Sequence, residues 1–263
     1  MMIDLSWIFI VSLFVGPVES VIVSADDGED ADAALDFDVS LIETYPIEDE
    51  LFVQGLEIDD AGRVLLSTGL YGDSRIGYLD VDSGTFEEVD RLDSDYFGEG
   101  VTVTPDGVMQ LTWKEETLFL RDNESLEVID TVSYEGEGWG LAYDADADGV
   151  WLSDGSNTVT LRSMDSFEVV DEIETEFENI NELEFVDGFL YANIWLSYDL
   201  IKIDVSSGEV LAVYDLEEIV YSADMDDDEI AQMDTLNGIA HIEDDEFYLA
   251  GKNYPYLYRV KIE

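Results

Sequence analysis

Tyr96-Phe97-Gly98-Glu99-Gly100-Val101-Thr102-Val103 sets a carboxylate between two glycines, behind an aromatic residue and ahead of a β-type run. Glycine lets a backbone turn tightly or approach a neighbour closely. Read alone, the stretch is a turn entering a strand. The same form recurs, however, as Gln54-Gly55-Leu56-Glu57-Ile58, Trp139-Gly140-Leu141-Ala142-Tyr143, Asn181-Glu182-Leu183-Glu184-Phe185 and Asn237-Gly238-Ile239-Ala240-His241. Each unit opens on a polar or aromatic residue, usually followed by glycine, and continues as an alternating strand. The successive spacings through Gln54, Glu99, Trp139, Asn181 and Asn237 are 45, 40, 42 and 56 residues.

A second piece falls late in each unit. Arg75-Ile76-Gly77-Tyr78-Leu79-Asp80-Val81-Asp82-Ser83-Gly84 returns as Leu200-Ile201-Lys202-Ile203-Asp204-Val205-Ser206-Ser207-Gly208, with weaker copies at Thr117–Asp122 and Thr158–Ser163. The Asp-x-x-Ser-Gly ending closes a hairpin, after which an outer strand such as Glu209–Val213 runs back. A period near 40 to 45 residues with four short strands per unit is the signature of a β-propeller. Five openings predict an all-β, five-bladed propeller over residues 36–263.

The fifth unit ends at Tyr256–Glu263 without an outer strand, and the β-type run Phe37–Tyr45 ahead of the first opening is placed to supply it. That pairing closes the ring and removes an exposed edge. The long fourth spacing holds acidic Asp215–Met233, read as a surface insertion with a short helix carrying Ile230 and Met233.

Apolar residues make up 46% of the 263 residues, enough for a sizeable core. There is no cysteine, hence no disulfide framework and no thiolate site, and His241 is the one histidine, which excludes a multi-histidine metal centre. His241 lies in an alternating run and reads as a half-buried strand residue. Against 10 basic residues stand 65 acidic ones, for a net charge of -55. Such a surface repels nucleic acid and anionic membrane, which excludes both as partners. It also destabilises the compact state unless cations screen it, so the setting expected is high salt, with an ordinary acidic secreted protein as the other reading.

Residues 5–18 form an apolar run of signal-peptide length, followed by a small-residue cleavage site at Val23-Ser24-Ala25 and an acidic linker over 26–35. No lysine or arginine precedes the run and Asp4 stands there instead, so an uncleaved anchor over 1–25 is the second reading. Either way the chain is expected outside the cytoplasm.

In a propeller the innermost strand of each blade starts at the central channel. Gln54, Glu99, Trp139, Asn181 and Asn237 are therefore expected to meet at one mouth, either as a site or because channels hold water. Large aromatics, Phe52, Phe97, Trp113, Trp139 and Trp195, lie around those openings, whereas Trp151 reads as blade core. An aromatic box with a few polar groups holds a small group in a fixed orientation. A carboxylate ringed by aromatics is desolvated and its pKa rises towards the range of proton transfer. Glu99 is the acid with that neighbourhood, and the other carboxylates are expected to be solvated.

These residues carry a resemblance. Phe52–Leu56, Ser67–Gly72, Phe97–Gly100, Leu111–Lys114, Glu137–Leu141, Ile180–Glu184, Ala192–Trp195, Leu236–Ala240 and Gly251-Lys252 are similar to the plant-type glutaminyl-peptide cyclotransferase family over about residues 37–263. The resemblance implies a five-bladed propeller that cyclises N-terminal glutaminyl residues of peptides to pyroglutamyl and releases ammonia. It implies Glu99 as the proton shuttle, with Phe52, Gln54, Phe97, Trp113, Trp139, Asn181, Trp195 and Lys252 lining the pocket. Gln54, Asn181 and Lys252 are then expected to donate hydrogen bonds to the carboxamide oxygen. The chemistry calls for no metal or cofactor, and a monomer acting on peptide or protein substrates is expected. Two other readings stay open: a cation-dependent propeller lactonase using Glu99, Asn181 and Asn237, a fold that needs six blades, and a non-catalytic peptide-binding propeller.

Overall fold

The alternating runs form 20 strands in five four-stranded antiparallel sheets in the computed structural model, which describes residues 38–47 and 50–263. The N-terminal segment and acidic linker lie outside the described residues. First in the chain is β1 (Val39–Pro46). Blade one is β2 (Val53–Ile58), β3 (Val64–Thr68), β4 (Arg75–Asp80) and β5 (Thr85–Arg91). Blade two is β6 (Gly98–Thr104), β7 (Gly107–Thr112), β8 (Thr117–Arg121) and β9 (Val128–Ser133). Blade three is β10 (Leu141–Asp144), β11 (Gly149–Ser153), β12 (Thr158–Ser163) and β13 (Val169–Glu174). Blade four is β14 (Ile180–Val186), β15 (Phe189–Ile194), β16 (Asp199–Asp204) and β17 (Val210–Asp215), followed by α1 (Glu217–Val220) and α2 (Asp227–Gln232). Blade five is β18 (Leu236–Glu243), β19 (Glu246–Gly251) and β20 (Tyr256–Ile262), completed by β1.

The closure is antiparallel, with Val39 opposite Ile262 and Pro46 opposite Tyr256. The repeated Asp-x-x-Ser-Gly turns are built alike. Gly84 N donates to Asp80 O and Gly208 N to Asp204 O, both at 2.8 Å, while each aspartate side chain accepts a second backbone N–H inside the turn. Outer strands such as β9 and β13 are nearly all exposed. Helix α2 begins with a capping box between Asp226 and Glu229. Met233 just beyond it packs on the core, whereas Ile230 stays exposed.

The core is divided into five apolar clusters, one at each blade junction. Leu66 and Phe86 meet Leu257 between blades one and five, and Trp151 meets Ile201 between blades three and four. An inner strand therefore has no solvent face: one side meets the next blade and the other the channel. Where the ring is narrowest the backbones touch, which is why glycine recurs after each opening residue. A Cβ on Gly100 would lie 2.7 Å from Trp139 O, and one on Gly140 only 2.1 Å from Asn181 O. Blade four breaks the rule with Glu182, and its carboxyl spans the channel to accept Ile239 N at 2.8 Å and Leu56 N at 3.3 Å.

Three residues past the openings of blades one to four lies a cavity of about 180 Å³, lined by Glu57, Thr102, Ala142 and Glu184 among others. Glu57 Oε2 accepts Thr102 Oγ1 at 2.9 Å and binds blade one to blade two. The expectation that all carboxylates other than Glu99 are solvated fails here, because inner-strand residues have nowhere polar to point except the channel. Burial pushes Glu57 up to about 7, and pushes Glu182 and Glu184 well above the usual range, with Glu57 adding repulsion to both.

This cluster fixes a pH dependence. The native state holds protons on these carboxyls that the unfolded chain releases near about pH 4.3. Stability from this source is thus full below that value and is lost as pH rises through the native pKa values, that of Glu57 near 7. Urea midpoints at constant high salt are expected to fall from pH 5 to 8, with a shallower fall in Glu184→Gln. A midpoint that stays level or climbs over that range contradicts the account.

Candidate active site

Antiparallel pairing puts the start of each first strand beside the end of the second, so two sets of residues reach the same face. Phe52, Phe97 and Trp139 precede β2, β6 and β10, while Trp113, Trp195 and Lys252 follow β7, β15 and β19. Backbone bonds tie these ends together: Trp113 N donates to Phe97 O at 3.0 Å, and Phe52 bridges Lys252. The result is a cavity of about 390 Å³ lined by Phe52, Phe97, Glu99, Trp113, Trp139, Asn181, Trp195, Leu196, Asp234 and Lys252.

The walls are aromatic rings in mutual contact. Phe97 lies 5.6 Å from Trp113 and 6.2 Å from Phe52, and Trp139 meets Trp195 edge-on at 5.6 Å. Three of the four polar lining residues are almost wholly enclosed, Glu99, Asn181 and Lys252 at 4%, 2% and 6% exposed, while Asp234 is exposed. Asn181 Oδ1 has no hydrogen-bond partner among the described residues. Burial raises the Glu99 carboxyl well above the ordinary range; the Lys252 ammonium opposes the rise, and Glu115 and Glu137 add to it. Burial in turn lowers Lys252, against the pull of Glu99 and Asp234.

Gln54 differs from its expected place. It does not line the cavity, and its amide is committed at both ends: Nε2 donates to Glu99 Oε1 at 3.0 Å, and Oε1 accepts Asn237 Nδ2 at 3.1 Å. Asn237 fixes which way the Gln54 amide faces, and Gln54 then holds the Glu99 carboxyl. Gln54 therefore stands behind Glu99, bonded to it, and not in the cavity wall. Asn237, fully buried and bonded to blade one, also stands apart from the cavity, and His241 is half-buried on β18. The other eight expected residues converge as anticipated. Leu196 and Asp234 join them without any motif to announce them: each is the loop residue beside a wall residue or a strand start.

A larger recess of about 510 Å³ lies at the far junction of blades one and five, lined by Tyr45, Arg63, Tyr78 and Tyr248 among others. Its cation is tied to Asp59 at 2.6 Å and stacked over Tyr78, and its carboxylates Asp80, Asp82 and Glu87 are exposed. Nothing there matches the enclosed acid of the aromatic cavity.

A family model described as glutamine cyclotransferase matches residues 16–262. The chain belongs to the glutamine cyclotransferase family. Glutaminyl-peptide cyclotransferase from Arabidopsis thaliana is 29% identical over 248 residues, covering 90% of this chain and 76% of the relative. Among solved structures, glutaminyl cyclase from Myxococcus xanthus superposes with a TM-score of 0.73 at 30% identity, covering 86% of this chain and 96% of its own. Five blades closed by the N-terminal strand are thus the fold of a family member, and the aromatic cavity sits at the channel mouth of that fold.

Proposed function

We propose that this protein is a glutaminyl-peptide cyclotransferase, converting N-terminal glutaminyl residues of peptides to pyroglutamyl with release of ammonia. The observation that carries the reading is Glu99: a single enclosed carboxyl of raised pKa, held by Gln54 at the base of an aromatic cavity. The substrate α-amine and the carboxamide it attacks are already tethered, so orientation supplies much of the rate. The amine nitrogen bonds to the side-chain carbonyl carbon and gives its proton to Glu99. Glu99 returns a proton to the amide nitrogen, the carbon–nitrogen bond breaks, ammonia leaves, and the carboxyl regains its starting form. Lys252 is the donor available to the carbonyl oxygen as charge develops there. Asn181 Oδ1, lacking a partner, takes an N–H of the substrate. The rings of Phe52, Phe97, Trp113, Trp139 and Trp195 pack on the glutaminyl methylenes and exclude water.

The assay is ammonia release from a short Gln-leading peptide in high salt, with the same peptide N-acetylated as control. Release from the free-amine peptide alone is expected. No release from either leaves the non-catalytic peptide-binding reading. The lactonase reading required six blades and an Asn237 side chain in the site; five blades are present and Asn237 is turned into the ring.

We further propose that the enzyme works as an exported, salt-adapted monomer. The support is the apolar run at residues 5–18 and the net charge of -55. Repulsion among these charges is screened as the Debye length shortens from about 10 Å at 0.1 M salt to about 2 Å at 2 M. Melting temperature is expected to rise markedly over that range; a flat series removes the salt-adapted reading.

A further inference from the structure

We propose that Glu137 is a positioning residue for the cyclisation, acting through Trp113 and Trp139 to set the width of the cavity. The proposal rests on the cyclotransferase reading above. One carboxylate oxygen, Glu137 Oε2, accepts both indole N–H groups, from Trp113 at 2.8 Å and from Trp139 at 3.1 Å. The two indoles come from different blades: Trp113 follows β7 of blade two and Trp139 precedes β10 of blade three. Packing alone does not fix their separation, because an indole is free to slide along its plane against neighbouring rings. A shared acceptor does fix it.

The acceptor itself is anchored. Gly138 N donates to Trp113 O at 2.9 Å and Trp139 N to Ser153 O at 2.9 Å, so the backbone around Glu137 is bonded to both blades. A Cβ on Gly138 would fall 2.2 Å from the Tyr134 hydroxyl, which leaves the segment a single course. Lys114 completes the arrangement from outside, 3.4 Å from Glu137 Oε1 and 3.7 Å above the Trp113 ring. Half-exposed ion pairs of this kind contribute little stability, so the cluster is poorly explained as a device for holding the fold. Glu137 does not line the cavity. Its effect on substrate passes through the rings it holds.

Glu137 also exerts a field on Glu99, together with Glu115 from the β7–β8 loop and against Lys252 from the end of β19. Tyr71 and Tyr134 also face Glu99 closely enough for its charge to be felt, and Gln54 is bonded to it. Geometry and field separate cleanly by substitution. In Glu137→Gln the side-chain carbonyl oxygen still accepts both indoles but the charge is gone; in Glu137→Ala both are gone.

The experiment measures kcat, KM, the pH profile of kcat/KM and acrylamide quenching of tryptophan fluorescence for the full chain and both variants. Glu137→Ala is expected to lower kcat/KM about 10- to 100-fold, the scale of a misplacement near 1 Å, chiefly through KM, and to make the indoles more accessible to quencher. Glu137→Gln is expected to keep KM and quenching near the parent. In both variants the acid limb of the profile moves to lower pH, since a negative neighbour of Glu99 is lost. Parent-like KM and quenching in Glu137→Ala, or equal damage in Glu137→Gln, overturns the proposal. So does a lowered melting temperature with unchanged kinetics, which marks a structural role. Should the parent release no ammonia, the cyclotransferase reading fails by itself, and the quenching comparison still decides whether Glu137 holds the two indoles.

Discussion

Replacing Glu99 by glutamine is expected to lower kcat by about 10²- to 10⁴-fold, the usual contribution of general acid–base catalysis, with KM changed little. The substitution keeps size and leaves an oxygen to accept Gln54 Nε2, which lies 3.0 Å from Glu99 Oε1. What it removes is the titrating group. Glu99 is only 4% exposed, so no solvent carboxylate or hydroxide takes its place readily. The variant should melt no lower than the parent, because a buried ionisable group has been exchanged for a neutral one. The opposite kinetic pattern, a raised KM with kcat intact, identifies Glu99 as a counter-charge for the substrate amine. Unchanged kcat and KM together would end its assignment as the proton carrier.

That assignment could be reached from sequence because the fold is periodic. Polar-glycine openings at Gln54, Glu99 and Asn237 mark inner strands, and backbone contact at the narrow ring explains why Gly100 and Gly140 recur there. Once the openings are aligned, antiparallel pairing brings Trp113, Trp195 and Lys252 to the same face. Closure by β1 follows equally from a missing strand in the last blade.

Partner choice was less legible. Whether Gln54 faces the substrate or Glu99 depends on Asn237, 183 residues away, donating to its oxygen. Glu57 and Glu184 look like the solvated half of an alternating strand, yet an inner strand meets neighbouring blades on one side and a narrow channel on the other. Leu196 and Asp234 sit in loops, where no period speaks. Glu182 was the plainest anomaly, an acid where the other units carry glycine, and its meaning lay in donors on strands not yet placed.

Glu182→Ala is accordingly expected to cost stability and to spare catalysis. Glu182 has no exposure, and its two oxygens accept backbone N–H groups of Leu56 on β2 and Ile239 on β18. Inner strands of blades four, one and five are thereby joined across the channel by one side chain. Truncation orphans both donors where no other acceptor is placed to meet them. Each buried unsatisfied group costs about 1–3 kcal/mol, for a total of roughly 2–6 kcal/mol, against a whole-domain stability of about 5–15 kcal/mol. Restoring glycine, as in the other units, should do no better, since the lost groups are acceptors and not volume. Because Glu182 is absent from the lining of the aromatic cavity, kcat measured well below the melting transition should stay near the parent value. A urea midpoint indistinguishable from the parent would show that the two donors find other partners. A kcat loss as large as that of Glu99→Gln would instead place Glu182 in the chemistry.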